Sequence, residues 1–193
     1  MGLIVGVVTG VLTTIFADSI RRFLDRPSLV LSFQPDEYCL RESNANLPDG
    51  LRVFAEHEAK YLRFKVANER GTTARACRAL IVELSRRSDD GAWQKLLVDT
   101  LPLRCAYLGF DPIEIPKGAH FYFDVVTAQD GDKYFKLQSH VSPFILQGAT
   151  DTKTLYRFDI AVVGENCDRK MIRLCLDWKQ HWNFVDVWEE NRG

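Results

Sequence analysis

From Ser28 onward the chain alternates apolar and polar residues at a period of two, and each run ends in a cluster of turn-forming residues. Successive side chains of a strand point to opposite faces, so this pattern suits a sheet with one buried and one wet face and does not suit a helix. Ser28-Leu-Val-Leu-Ser-Phe33 is the first such run, and Tyr61 to Asn68 puts Leu62, Phe64 and Val66 on one side with Arg63 and Lys65 on the other. Hairpins follow. Cys77 to Arg86, with Leu80, Val82 and Leu84, turns at Ser88-Asp89-Asp90-Gly91 into Trp93 to Val98. Ala119 to Val126, with Phe121, Phe123 and Val125, turns at Gln129-Asp130-Gly131-Asp132 into Tyr134 to Leu137. Leu155 to Val163, with Tyr156, Phe158, Ile160 and Val162, turns at Gly164 to Asp168 into Met171 to Trp178, where Ile172, Leu174, Leu176 and Trp178 share a face. Asp-Gly turns between alternating runs are hairpin signals. Arg41 to Lys60 is polar and turn-rich and reads as a long loop, with a helical turn near Phe54 to Lys60. Residues 28–193 thus read as one antiparallel β domain of about eight or nine short strands, with turns at the spacing of a sandwich or barrel.

Residues 1–27 depart from that pattern. The stretch from Gly2 to Ala17 carries no charge, and Thr9, Thr13 and Thr14 supply its only hydroxyls. A helix of about 16 residues is roughly 24 Å long, short of a hydrocarbon core of about 30 Å. Ile20, Phe23 and Leu24 prolong the apolar face, Arg21, Arg22 and Arg26 can snorkel to the headgroups, and Pro27 ends the helix. A signal peptide would want a basic n-region and a better cleavage site than Phe16-Ala17-Asp18, and a soluble core helix would show a polar side. A single membrane span is the expectation. The arginines lie after the run and none before it, which sets the remainder in the cytoplasm, at the inner membrane. Gly2, Gly6, Gly10, Thr14 and Ala17 draw a stripe of small residues along one helix face, the kind of stripe that lets two spans pair into a homo-oligomer.

The cysteines point the same way. Cys39, Cys77, Cys105, Cys167 and Cys175 are odd in number and scattered, as in a reducing compartment, and Cys77, Cys105 and Cys175, in strand-like runs, read as small apolar fillers. None makes a zinc spacing with His57, His120, His140 or His181. With 25 Lys plus Arg against 26 Asp plus Glu, the chain lacks the basic excess of a nucleic-acid binder.

Tyr61-Leu-Arg-Phe-Lys-Val-Ala-Asn-Glu-Arg-Gly-Thr-Thr-Ala-Arg-Ala-Cys-Arg-Ala-Leu-Ile-Val-Glu-Leu84 resembles the strand, Asn-x-x-Gly loop, Ala, strand pattern of immunoglobulin-like bacterial sandwich modules. It is also similar to bacterial proteins that place such a domain after an N-terminal membrane helix. The resemblance covers about two strands and their loop. It implies an immunoglobulin-like sandwich. Many members of such families serve adhesion or binding outside the cell, against the topology argued above, so no functional residue is carried over.

No motif of catalysis, phosphate binding or metal ligation is present, and Asp130-Gly131-Asp132 lacks the later ligands of a calcium loop. No catalytic, cofactor or metal residue is therefore assigned. The C-terminal stretch Trp178-Lys-Gln-His-Trp-Asn-Phe-Val-Asp-Val-Trp188 holds three of the four tryptophans. It reads either as a terminal strand completing the core or as an exposed platform of Trp178, Trp182, Phe184 and Trp188 for a planar ligand, a partner or the membrane interface. The expected protein is a membrane helix over residues 1–27 followed by an immunoglobulin-like β-sandwich over 28–193, non-enzymatic, cytoplasm-facing and binding a protein or small ligand. The alternatives are a ligand-sensing membrane effector whose spans cluster, an enzyme with a site no motif marks, and an exported, signal-cleaved adhesion module.

Overall fold

The computed structural model describes residue 17 and residues 25–35, 40–44, 58–97, 99–129, 134–140, 153–179 and 185–190. Its elements in chain order are β1 (Ser28–Ser32), β2 (Leu40–Asn44), β3 (Glu58–Arg70), β4 (Ala74–Arg87), β5 (Trp93–Lys95), β6 (Leu101–Pro102), β7 (Arg104–Cys105), β8 (Ile113–Ile115), β9 (His120–Gln129), β10 (Lys136–Leu137), β11 (Thr154–Val163), β12 (Lys170–Trp178) and β13 (Val185–Glu189). They form two antiparallel sheets. One runs β1-β3-β9-β10, with β2 also on β3 and β7 on β9; the other runs β13-β12-β11-β4-β5, with β6 and β8 also on β4.

The expected N-terminal membrane helix is corrected by this arrangement, while the mainly-β, two-sheet part of the expectation stands. The described elements are all strands, and among the described residues no helix is long and apolar enough to cross a membrane. The run alone is about 24 Å of helix against a core of about 30 Å, and Ile20, Phe23 and Leu24, which were to prolong it, lie outside the described residues. Of the small-residue stripe only Ala17 is described, and it is exposed; Gly2, Gly6, Gly10 and Thr14, with Arg21 and Arg22, lie outside the described residues. Arg26, expected at a membrane interface, forms an exposed ion pair with Asp168 at 3.0 Å, in the turn between β11 and β12.

The alternation is realised in β11, β12 and β3, whose own chains carry no extra residue at the irregular pairings with β4 and β9. Tyr156, Phe158, Ile160 and Val162 of β11 are wholly buried, as are Leu174, Leu176 and Trp178 of β12, and Phe64 and Val66 of β3. In β4 the expected face is wrong. Asp159 opposes Glu83 while Ile160 opposes Ile81, so Val82 is an extra residue. Such a bulge moves every following side chain to the other face. The core therefore takes Ala79, Ile81 and Leu84 rather than Leu80 and Val82. A matching irregularity in β9 leaves Val125 between Asp124, opposite Arg63, and Val126, opposite Leu62. The expected loop from Arg41 to Lys60 is also shorter than read: Leu40–Asn44 pairs with residues 58–62 as strands, which excludes a helical turn over residues 58–60.

The Asn-x-x-Gly loop has a physical account. Asn68 is fully buried, and its Nδ2 donates to the carbonyls of Thr72 at 2.8 Å and Ile115 at 2.9 Å, tying the β3–β4 turn to the end of β8. Gly71 has φ of +84°, and a Cβ there would sit 2.1 Å from the carbonyl oxygen of Arg26. The Asp25 carbonyl accepts from the Thr72 amide at 2.8 Å beside it. Only glycine lets the chain before β1 lie this close.

The two sheets share one hydrophobic core, so the molecule is sandwich-like. Phe135, just ahead of β10 in the first sheet, stands edge-on to three rings of the second: Tyr156 at 4.8 Å, Trp178 at 5.5 Å and Phe158 at 6.1 Å between centroids. Such T-shaped pairs contribute about 0.5–1.5 kcal/mol beyond the area they bury. Phe135→Ala is expected to lower unfolding free energy by about 3–5 kcal/mol. Urea denaturation checks it, and a loss below about 1 kcal/mol would show that the sheets do not depend on this contact.

Candidate functional site

On β11, β12 and β4, the side chains that do not enter the core form the outer face of the second sheet, and strand register sets them in rows. Trp188, Cys175, Arg157, Ser85 and Lys95 are successive partners across β13, β12, β11, β4 and β5. Arg173, Asp159 and Glu83 form the adjacent row. Cross-strand neighbours on one face lie close enough to interact directly, and here they are mostly opposite charges and aromatic rings.

The rows are internally bonded. Arg157 lies over the Trp93 ring with its guanidinium carbon 4.5 Å from the centroid. Its Nη2 approaches Glu83 Oε1 at 3.4 Å, an oxygen that also accepts from Ser85 Oγ at 2.9 Å. Lys95 Nζ reaches the other Glu83 oxygen at 3.8 Å. Arg173 grips Asp159 with both prongs, Nε to Oδ1 at 2.5 Å and Nη2 to Oδ2 at 2.9 Å, and extends Nη1 towards Glu190 at 3.4 Å. The hydrogen bonds to Asp159 hold the Arg173 guanidinium above its ordinary value. Lys179 closes the corner against Asp186 at 2.5 Å and Asp177 at 3.3 Å. Trp93 is 37% and Trp188 41% exposed. They stand at opposite edges of the face, about 19 Å apart across four strand spacings.

Cys175 lies beneath these side chains, nearly inaccessible, and burial pushes its thiol up to about 11. A thiol in that condition is not a nucleophile at neutral pH. Among the described residues no group of three or more His, Cys, Asp or Glu side chains is placed to hold a metal ion.

The expected platform of Trp178, Trp182, Phe184 and Trp188 is not assembled as a set. Trp178 is fully buried in the core, and its register partner is Val185, whereas Trp188 opposes Cys175 on the outer face. An odd offset along β13 puts these two tryptophans on opposite sides of the sheet. Trp182 and Phe184 lie outside the described residues. Trp93, absent from the expected platform, supplies the second exposed indole. Its signal was weak, because β5 shows three exposed residues in a row and no alternation.

A second charged pair lies in the first sheet. Arg63 Nε meets Asp124 Oδ1 at 2.9 Å, both nearly inaccessible, with Arg63 also over the Tyr61 ring at 5.1 Å. Burial raises the Asp124 carboxyl, while Arg63 and Arg104 lower it, and the first effect is the larger. The Cys105 thiol nearby is pushed up to about 11 by burial and by the Asp124 charge. The pair is held by charge at close range, but Arg63 Nε and Asp124 Oδ1 make no well-aligned hydrogen bond, and both are buried away from any ligand.

No family model matches the sequence, and no curated protein does. Among solved structures, the chain is similar to the X-ray structure of the Northeast Structural Genomics Consortium target SoR45, at 10% identity, with 86% of this chain and 87% of that one covered and a TM-score of 0.30. It is also similar to Bacteroides uniformis beta-glucuronidase 2 covalently bound to cyclophellitol-6-carboxylate aziridine, at 15% identity and a TM-score of 0.30, covering 74% of this chain but 14% of that one. Likenesses at that level carry no argument about fold or function.

Removing Arg63 alone leaves Asp124 as an uncompensated buried charge. Arg63→Met is expected to cost about 3–5 kcal/mol at pH 7, and the double change with Asp124→Leu to recover most of it. The folded-state value of Asp124 already lies above the unfolded one, and losing Arg63 raises it further. Stability from a raised carboxyl is fully present below the unfolded value, about 3.9, and is lost as pH rises through the folded value. The Arg63→Met deficit should therefore be smaller at pH 4 than at pH 7. Urea unfolding at both pH values measures this, and an equal deficit would contradict it.

Proposed function

We propose that the protein is a non-enzymatic binding module that docks a protein partner on the outer face of its seven-stranded sheet. The observation carrying this is the stack of Arg157 on exposed Trp93, held from behind by Glu83 and facing Trp188 across the same surface. Tryptophan and arginine are the residues that most often dominate protein interfaces, because each buries a large rigid surface and still offers polar contacts. An arginine already stacked and ion-paired has lost part of its side-chain freedom before the partner arrives, so docking costs less entropy.

The alternating charges would give orientation more than affinity. Glu83, Asp159, Glu190, Asp177 and Asp186 alternate with Arg157, Arg173, Lys95 and Lys179, so a partner must present complementary signs in one register. A sheet face with aromatic ends suits a protein surface better than a small molecule, which favours a concave site.

Proximity labelling in the producing cell, followed by titration of each purified candidate, tests the reading. Trp93→Ala with Trp188→Ala is expected to weaken binding at least tenfold, about 1.4 kcal/mol. The thermal midpoint should stay within a few degrees, because both rings are half-exposed. Affinity unchanged within twofold for every partner found would overturn the proposal.

A further inference from the structure

Cys77 near the start of β4 and Cys167 in the β11–β12 turn are 90 positions apart in sequence, and the fold sets their side chains against each other. The meeting point is Gly164. A Cβ at that position would lie 2.7 Å from Cys167 Sγ and 3.1 Å from Cys77 Sγ, so the missing side chain is the space both sulfurs occupy. The turn is held there by bonds that do not involve sulfur. The Glu165 amide donates to the Arg75 carbonyl at 3.0 Å, the Arg75 amide donates to Asn166 Oδ1 at 2.8 Å, and Asn166 Nδ2 donates to the Thr73 carbonyl at 2.9 Å. The Arg26–Asp168 ion pair flanks the same turn. Two sulfurs on separately anchored backbones both border the one point where a Gly164 side chain would stand, which makes them close neighbours across the turn.

We infer that Cys77 and Cys167 are a covalent modification site that closes to a disulfide when a small-molecule disulfide is the oxidant, stapling the β11–β12 hairpin to the start of β4. Cys167 is the point of attack, because it is 9% exposed while Cys77 is wholly buried. Its thiolate attacks one sulfur of the oxidant, forming a mixed disulfide and expelling one thiolate. Cys77, on losing its proton, attacks Cys167 Sγ, forms the protein S–S bond and expels the second thiolate. The two protein thiols lose two electrons and two protons. The oxidant is reduced by those electrons to two thiols, which take up the protons. Burial pushes the Cys77 thiol up to about 12, so the exchange is slow at neutral pH and quickens as pH rises. Cys105 and Cys175 are buried among charged side chains elsewhere and stay reduced.

The whole chain is incubated folded with glutathione disulfide at pH 8.5, quenched by alkylation and analysed by mass spectrometry without reductant. The expected result is the loss of two hydrogens, a fall from five titratable thiols to three, and a peptide joining Cys77 to Cys167. Closing a loop of about 90 residues should raise the thermal midpoint by roughly 10 °C, reversed by reductant. In Cys77→Ala the reaction should stop at one glutathione on Cys167. Five thiols remaining in the unmutated chain, a stable glutathione adduct there without ring closure, or a crosslink through Cys39 would each overturn the inference. The peptide map of the unmutated chain decides the matter even if the variant fails to fold.

Discussion

The two sheets are joined by the edge-on contacts of Phe135 with Tyr156, Phe158 and Trp178. Each sheet is apolar on one face only, so neither is stable until that face is covered. The three target rings come from two neighbouring strands, and Phe135 meets each of them edge-on from the facing sheet. Register in β11 and β12 therefore has to be correct to the residue, because a slip by one would turn Tyr156, Phe158 and Trp178 to solvent. Their inward direction also determines what points outward. Arg157, Asp159, Arg173 and Cys175 make the outer face because their neighbours make the core.

That coupling explains why a charged surface is built with such regularity. In a strand every buried residue specifies an outward one, so a well-packed core carries a fixed array on its reverse. The second sheet uses the array for alternating charge, ending in an exposed indole at each edge. The first sheet buries its own Arg63–Asp124 pair, where desolvation competes with attraction and the gain is structural at most. The same pairing of charges is thus placed differently on the two sheets, buried in the first and more exposed on the second.

Much of the β character was legible in residues taken singly. The faces of β3, β11 and β12 follow from alternation alone, and Asn68 and Gly71 mark a turn whose close approach the structure explains. Two kinds of reading failed. The bulge at Val82 takes Leu80 and Val82 off the core face without a residue type that announces it, whereas Phe123 and Val125 of β9 are buried as expected. The uncharged N-terminal run suggested a membrane helix, and the described architecture is strands alone. The candidate site was half legible. The tryptophan-rich stretch pointed to Trp188, but its grouping with Trp178 ignored that they fall on opposite faces, and Trp93 lay in a strand too short to show a pattern.

By itself the sequence determined the class of structure: alternating apolar residues and turn clusters leave an antiparallel, two-faced sheet as the way to bury 46% hydrophobic residues without stranding backbone polar groups. Tertiary structure alone decided which distant residues meet. Trp93 with Arg157, Arg63 with Asp124, and Cys77 with Cys167 are brought together by strand order and bulges, which depend on how two faces pack. Local pattern records the period of a strand, whereas neighbours across a sheet are set by long-range pairing that no short stretch encodes.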